Sequence, residues 1–149
     1  MDDFRVLVKK LHDDSVVPTY GTDYSAGADL YAYLDCEEIT TMPGETVFCG
    51  TGIAIAIPDG YAGLVFARSG LSCKHGLAPA NKVGVIDPDY RGEIKVALHN
   101  HSAIPEKISN GDRIAQLLLV PFIRPSLVES DVLDETGRSS GGFGSTGKS

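Results

Sequence analysis

Positive charge is scarce in this chain. Its 149 residues carry 13 Lys and Arg against 20 Asp and Glu, a formal net charge of −7. That balance argues against duplex DNA, RNA or an anionic membrane as the main partner. Any anion bound here must be held by local groups against an unfavourable overall field. Long apolar runs are missing as well. Nothing is long enough to span a bilayer, and no basic-plus-apolar leader opens the chain. Cys36, Cys49 and Cys73 are an odd number without close spacing. They exclude a disulfide framework and predict reduced, mostly buried thiols in a cytoplasmic protein, or a nuclear one for a eukaryotic or viral source. No segment holds an apolar 3.6-residue period over ten residues or more, and no internal repeat is visible.

What is present reads as strands. Phe4, Val6 and Val8 alternate with Arg5, Leu7 and Lys9. Ile53, Ile55 and Ile57 alternate with Ala54 and Ala56, and Ile94, Val96 and Leu98 with Glu93, Lys95 and Ala97. Alternation of period two marks half-buried strands. Turn signals separate them at Pro43-Gly44, Pro58-Asp59-Gly60 and Asn110-Gly111-Asp112. With an apolar content of 42% in a single-domain length, the expected architecture is an all-β barrel or jelly roll. One short helix is expected at 69–75, capped by Ser69 and closed by a left-handed Gly76.

The richest stretch is 81–93, NKVGVIDPDYRGE. It places Asp87, Asp89 and Tyr90 on a tight hairpin between strand-like runs 82–86 and 93–98. Gly84 leaves room for close backbone approach, and Pro88 stiffens the turn. A carboxylate and a ring beside bare backbone amides suit a ligand, although a surface turn decorated with acids has the same look. Asp89 reads as a solvated turn acid. Arg68 stands just before the helix start, where free amides and the Ser69 hydroxyl offer a place for phosphate; an ordinary cap beside a surface arginine is the plainer reading. His99 and His101 lie two apart with no third histidine or cysteine near them in sequence, so a protein-built metal centre is not expected.

After Leu127 the composition shifts. An acidic stretch (Glu129, Asp131, Asp134, Glu135) leads into GRSSGGFGSTGKS at 137–149. By composition this is a flexible arm. Its glycine amides and Arg138 suit an anion, and Phe143 suits a flat ligand. The final eight residues match the Walker A pattern letter for letter. That pattern works only between a buried strand and a following helix, and neither is expected around it.

Five segments taken in order resemble the five motifs of the homotrimeric deoxyuridine triphosphatases (dUTPases): 26–30 (AGADL), 67–71 (ARSGL), 81–93, 111–116 (GDRIAQ) and 138–147 (RSSGGFGSTG). Ala67 and Pro88 stand where the family also uses other residues. The resemblance implies a dUTPase-like β-barrel or jelly roll of the β-clip kind over 1–128, with an acidic connector and a glycine-rich arm over 129–149. It implies hydrolysis of dUTP to dUMP and pyrophosphate with Mg²⁺, which limits uracil in DNA and supplies dUMP for thymidylate synthesis. It also implies a homotrimer with shared active sites, and neither nucleic acid nor membrane as partner.

Carried onto this chain, the resemblance makes Asp87 the general base, with Asn81 and Gln116 holding the water and the α-phosphate. Arg68, Ser69 and Gly70 cradle the phosphates. Gly84, Val85 and Ile86 read the uracil edge, Lys95 lines the same pocket, and Tyr90 packs under the deoxyribose. Asp29 orients Arg68 or the outer-shell waters of the metal, with no direct protein ligand to Mg²⁺ expected. Arg138 meets the γ-phosphate, and Phe143, beside Gly144, stacks on the base.

Two alternatives remain at this point. A deoxycytidine triphosphate deaminase on a related fold needs a general-base glutamate that the sequence does not display. An idle trimer acting as a binding module has no need of Asp87, Arg68 and the arm together.

Overall fold

The computed structural model describes residues 4–142. Twelve strands and one helix follow in order: β1 (Leu7–Lys10), β2 (Thr19–Tyr20), β3 (Ala28–Tyr31), β4 (Glu38–Thr41), β5 (Thr46–Gly50), β6 (Ile53–Ala56), β7 (Tyr61–Phe66), α1 (Ser69–His75), β8 (Leu77–Pro79), β9 (Gly84–Ile86), β10 (Lys95–Asn100), β11 (Glu106–Ser109) and β12 (Arg113–Pro121). The all-β expectation with one short helix holds, and the fold is jelly-roll-like. Four separate ladders make it up rather than one closed barrel: β2-β3-β12-β7-β9, β5-β10-β8, β1-β6 and β4-β11. Their pairings are antiparallel. The turn glycines at 44, 60 and 111 take φ of 76°, 81° and 87°, a region open to glycine at no steric cost.

The alternating strands bury one continuous core. Leu30, Cys49, Ile53, Leu98 and Ala115 are fully buried at its centre. Ala54 is buried alongside Ile53 and Ile55, so β6 is covered on both faces. Of the three thiols only Cys49 is buried, whereas Cys36 and Cys73 are exposed, against the expectation of mostly buried cysteines. Both exposed thiols lie outside the strands, on a bend and on α1, where no sheet face covers them. Burial pushes the Cys49 thiol up to about 11.

β12 is the longest strand and sits between β3 and β7. It therefore carries the 111–116 segment against both the 26–30 and the 67–71 segments. A β-bulge between Arg113 and Ala115 interrupts its ladder with β3. Regular structure stops at Pro121; beyond it Ile123, Leu127, Val128, Val132 and Leu133 are each at least 79% exposed.

Candidate active site

Three strands converge on one arginine. β7 ends at Phe66, and Arg68 follows as the residue preceding α1. Asp29, inside β3, accepts from Arg68 Nε at 2.8 Å through Oδ1 and from Arg113 Nη1 at 3.2 Å through Oδ2. The Asp29 side chain is only 12% exposed, so its charge is stabilised by two guanidiniums rather than by water. Gln116 lies directly opposite Asp29 and Phe66 in the two ladders. Its Nε2 donates to the Ala67 carbonyl at 3.0 Å. A Cβ on Gly27 would fall 2.9 Å from Gln116 Oε1, so that glycine makes room for the amide. Ser69 and Gly70 open α1 in an exposed position. Ser69 is the first helical residue; Arg68 occupies the cap position and no side chain caps the helix. The expected serine cap is therefore absent, and the first-turn amides have no side-chain acceptor.

A cleft of about 350 Å³ forms the second element. Asn81, Gly84, Val85, Ile86, Tyr90 and Lys95 all line it, with Phe48 and Glu93 at its wall. The two runs flanking this turn do not form the expected paired hairpin. β9 pairs with β7, and β10 pairs with β5 and β8, in different sheets. In the loop after Ile86, Tyr90 folds its hydroxyl back to donate to the Glu93 carbonyl at 2.8 Å. Among the described residues β9 is an edge strand whose second side carries no ladder. Gly84 lines the cleft, and a Cβ there would press on Val65 and Asn81 at 3.3 and 3.4 Å. Asp87 is exposed at the end of β9. Lys95 Nζ lies 3.5 Å from Glu93 Oε2.

Residues 13–147 match the family model described as dUTPase. The chain belongs to the dUTPase family. It is 49% identical to the deoxyuridine 5′-triphosphate nucleotidohydrolase of Desulfitobacterium hafniense (strain DSM 10664 / DCB-2), with 100% of each chain covered. It is 47% identical to the enzyme of the same name from Thermobifida fusca (strain YX), over 96% of this chain and 79% of that one. Among solved structures, a variant of the Staphylococcus bacteriophage 80alpha dUTPase with dUpNHpp superposes at a TM-score of 0.87 and 27% identity, over 97% and 99% of the two chains. A variant dUTPase of phage phi11 of S. aureus, described with a structural Mg(II) ion, superposes at 0.76 and 25% identity, over 87% and 98%.

Within this dUTPase chain the predicted residues fall into two groups. Asn81, Gly84, Val85, Ile86, Tyr90 and Lys95 share the cleft; Asp29 in β3, Gln116 in β12 and Arg68 after β7 form the second group, and neither they nor Ser69, Gly70 and Asp87 are in the cleft lining. Arg138 belongs to neither. Its Nε donates to the Gly141 carbonyl at 2.8 Å within a turn of its own segment. Phe143 and Gly144 lie outside the described residues. Sequence reasoning missed three positions. Glu93 ties the loop down by accepting from the Gly52 amide at 2.9 Å. Gly92 underlies the Tyr90 ring, where a Cβ would fall 2.5 Å from the phenolic oxygen. Arg113 completes the Asp29 group. All three stand inside the segments 81–93 and 111–116, but neither spacing nor residue type marks their partners. Among the described residues no three His, Cys, Asp or Glu side chains converge as a metal cage.

Proposed function

We infer that this dUTPase-family chain hydrolyses dUTP to dUMP and pyrophosphate, with Asp87 as the general base. The observation that carries the site assignment is the open edge of β9 facing the cleft, with an exposed carboxylate at its end. A strand edge without a ladder presents backbone donors and acceptors in fixed positions. Uracil and cytosine exchange donor for acceptor at two edge positions. Backbone groups that satisfy one base leave the other with buried unpaired groups, a discrimination of about 10⁴ or more. Tyr90, held by Glu93 and Gly92, forms the floor for deoxyribose and excludes a 2′-hydroxyl. The crowding around Gly84 leaves no room for a thymine methyl.

Chemistry then requires one proton transfer and one displacement. Asp87 takes a proton from a water held by Asn81 and Gln116. The water oxygen attacks the α-phosphorus, the bond to the bridging oxygen of the β-phosphate breaks, and pyrophosphate leaves with the electron pair. General-base assistance contributes a factor of about 10²–10⁴. Arg68, the amides of Ser69 and Gly70, and Arg138 of the arm neutralise charge on the triphosphate, with Phe143 and Gly144 closing over the base. Mg²⁺ fits such a site without a protein cage, because it binds through phosphate oxygens and water; when bound it supplies further positive charge on those oxygens. Asp29, with both oxygens already on guanidiniums, would act on such an ion only through water.

Homotrimeric assembly with shared sites belongs to the same reading. The absence of the Arg68 group from the cleft lining supports it, as does the exposed apolar segment after Pro121. The body 1–128 supplies both groups, and the connector and arm 129–149 reach a neighbour. No helix among the described residues is long and apolar enough to cross a membrane, and a cytoplasmic nucleotide pool is the proposed setting. Pyrophosphate release from dUTP, dCTP, dTTP and UTP tests the reading. Release from dUTP far above the other three is expected. No release from dUTP sinks it, and equal kcat/KM for dCTP removes the backbone reading of the base. Ammonia from dCTP would instead mark a deaminase.

A further inference from the structure

We propose that Arg113 is a positioning residue that holds Asp29 from the side opposite Arg68 and thereby fixes how Arg68 is presented to a triphosphate. The proposal rests on the hydrolase reading above and names a residue outside its site.

The bulge is what brings Arg113 there. On a regular strand, residues three apart face opposite ways. Gln116 faces outward with Asp29 and Phe66, so regular alternation would send Arg113 into the core. The ladder instead pairs Arg113 with Tyr31 and Ala115 with Leu30, leaving Ile114 as the extra residue. Ile114 and Ala115 are then buried in succession, and Arg113 and Gln116 share the outer face. A bulge commonly re-aims one side chain in this way.

Arg113 holds Arg68 by two routes. Its Nη1 satisfies Asp29 Oδ2 at 3.2 Å, leaving Oδ1 for Arg68 Nε at 2.8 Å. Its backbone carbonyl accepts from Arg68 Nη1 at 3.2 Å. Two of the Arg68 nitrogens are thus anchored, and Nη2 is left as a donor for an anion. The group carries two positive charges and one negative. Within a chain of net charge −7 it keeps a local surplus of +1 for an anion. An isolated surface ion pair contributes little. Here the carboxylate is mostly buried, and losing one partner leaves part of its charge uncompensated. Asp29 would then draw further donors from Arg68, including those that should face the phosphates.

The test uses the full chain, with Arg113→Gln, Arg113→Lys, Arg68→Gln and the double variant Arg68→Gln/Arg113→Gln. Two readouts are taken: steady-state kinetics on dUTP and the ¹H–¹⁵N resonance of the Arg68 Nε–H. Arg113→Gln is expected to lower kcat/KM about ten- to a hundredfold, the scale of one charge-assisted hydrogen bond, and to move the Arg68 Nε–H resonance. The double variant should be within about threefold of Arg68→Gln, since residues acting through one another do not add. Arg113→Lys keeps the charge on Asp29 and should stay within about threefold of the parent. Full multiplication of the two glutamine effects, or an unmoved Arg68 Nε–H in Arg113→Gln, overturns the proposal whatever the parent's activity. Should Arg113→Gln fail to fold, a folded Arg113→Lys as slow as Arg68→Gln overturns it instead. A parent inactive on dUTP would sink the hydrolase reading by itself, while the resonance still decides the role of Arg113.

Discussion

Asp87 makes no ion pair or side-chain hydrogen bond with a described residue, and it faces solvent just after β9. A base that must accept a proton from water is best left free of other donors. Asp87→Asn is expected to lower kcat on dUTP by at least about 10²-fold with little change in KM; turnover within a few-fold of the parent would remove it from the role. Gly92→Ala acts through Tyr90. The added Cβ meets the phenol at 2.5 Å, so the ring must shift and give up Glu93. The preference for dUTP over UTP should fall by about tenfold or more, read as a ratio of kcat/KM values, while Asp87-dependent chemistry persists. Cys49 provides a check independent of activity. Its thiol is raised to about 11 in the folded chain, above the ordinary range of an unfolded cysteine. Stability from the neutral thiol is present below that ordinary range. It is lost as pH climbs through about 9 to 11, because the unfolded chain ionises first. The urea midpoint of the parent should therefore fall more steeply between pH 8 and 10.5 than that of Cys49→Ala. A thiol reagent should titrate Cys36 and Cys73 at once, and Cys49 only on unfolding.

Among the elements, β10 is held at its end by one side chain. Asn100 is fully buried, and its Nδ2 donates to the carbonyls of Thr41 at 2.9 Å and Ile104 at 2.8 Å, while its Oδ1 accepts from the Ser102 amide at 2.8 Å. Asn100→Ala removes three hydrogen bonds to backbone groups, the one to the Thr41 carbonyl in the buried interior, and should cost about 2–4 kcal/mol, measured by chemical denaturation. A loss under about 1 kcal/mol would mean that water or neighbouring groups replace the amide. This network also shows where reading along the chain runs out. The strands with clean alternation, such as Val96 and Leu98 within β10, were legible because burial of one face writes a period of two into the residues. The turns were legible because their glycines occupy positive φ. The hairpin at 82–98 was not, because local pattern finds strands without naming their partners, and β9 chose β7. The bulge at Ile114 was hidden for a related reason: Arg-Ile-Ala-Gln breaks period two, and only the ladder shows which residue is extra. Asn100 between two histidines reads as a surface residue until the loop 101–105 is seen to fold over it.

At the scale of the molecule, the Arg68 group is not part of the cleft lining within one chain. Asp87→Asn and a truncation before Arg138 should each be nearly inactive as homotrimers. Co-folded in equal amounts they should recover roughly a quarter of the sites, if cleft and arm come from different chains and subunits mix at random. No recovery in trimers confirmed by mass would place both on one chain. The motif order made the family legible, since five short signals in sequence are hard to meet by chance. How the Arg68 group and the cleft face each other was not legible, because local pattern does not give the relative placement of segments far apart in sequence. The segment after Pro121 carries a further consequence. Ile123, Leu127, Val128, Val132 and Leu133 are left largely uncovered by the described residues, a surface open to cover by a second molecule on collision. If that cover is another copy, stability becomes a property of concentration as well as of sequence. The melting midpoint should then rise as the protein is concentrated, and dilution alone, with no denaturant, should slow the enzyme.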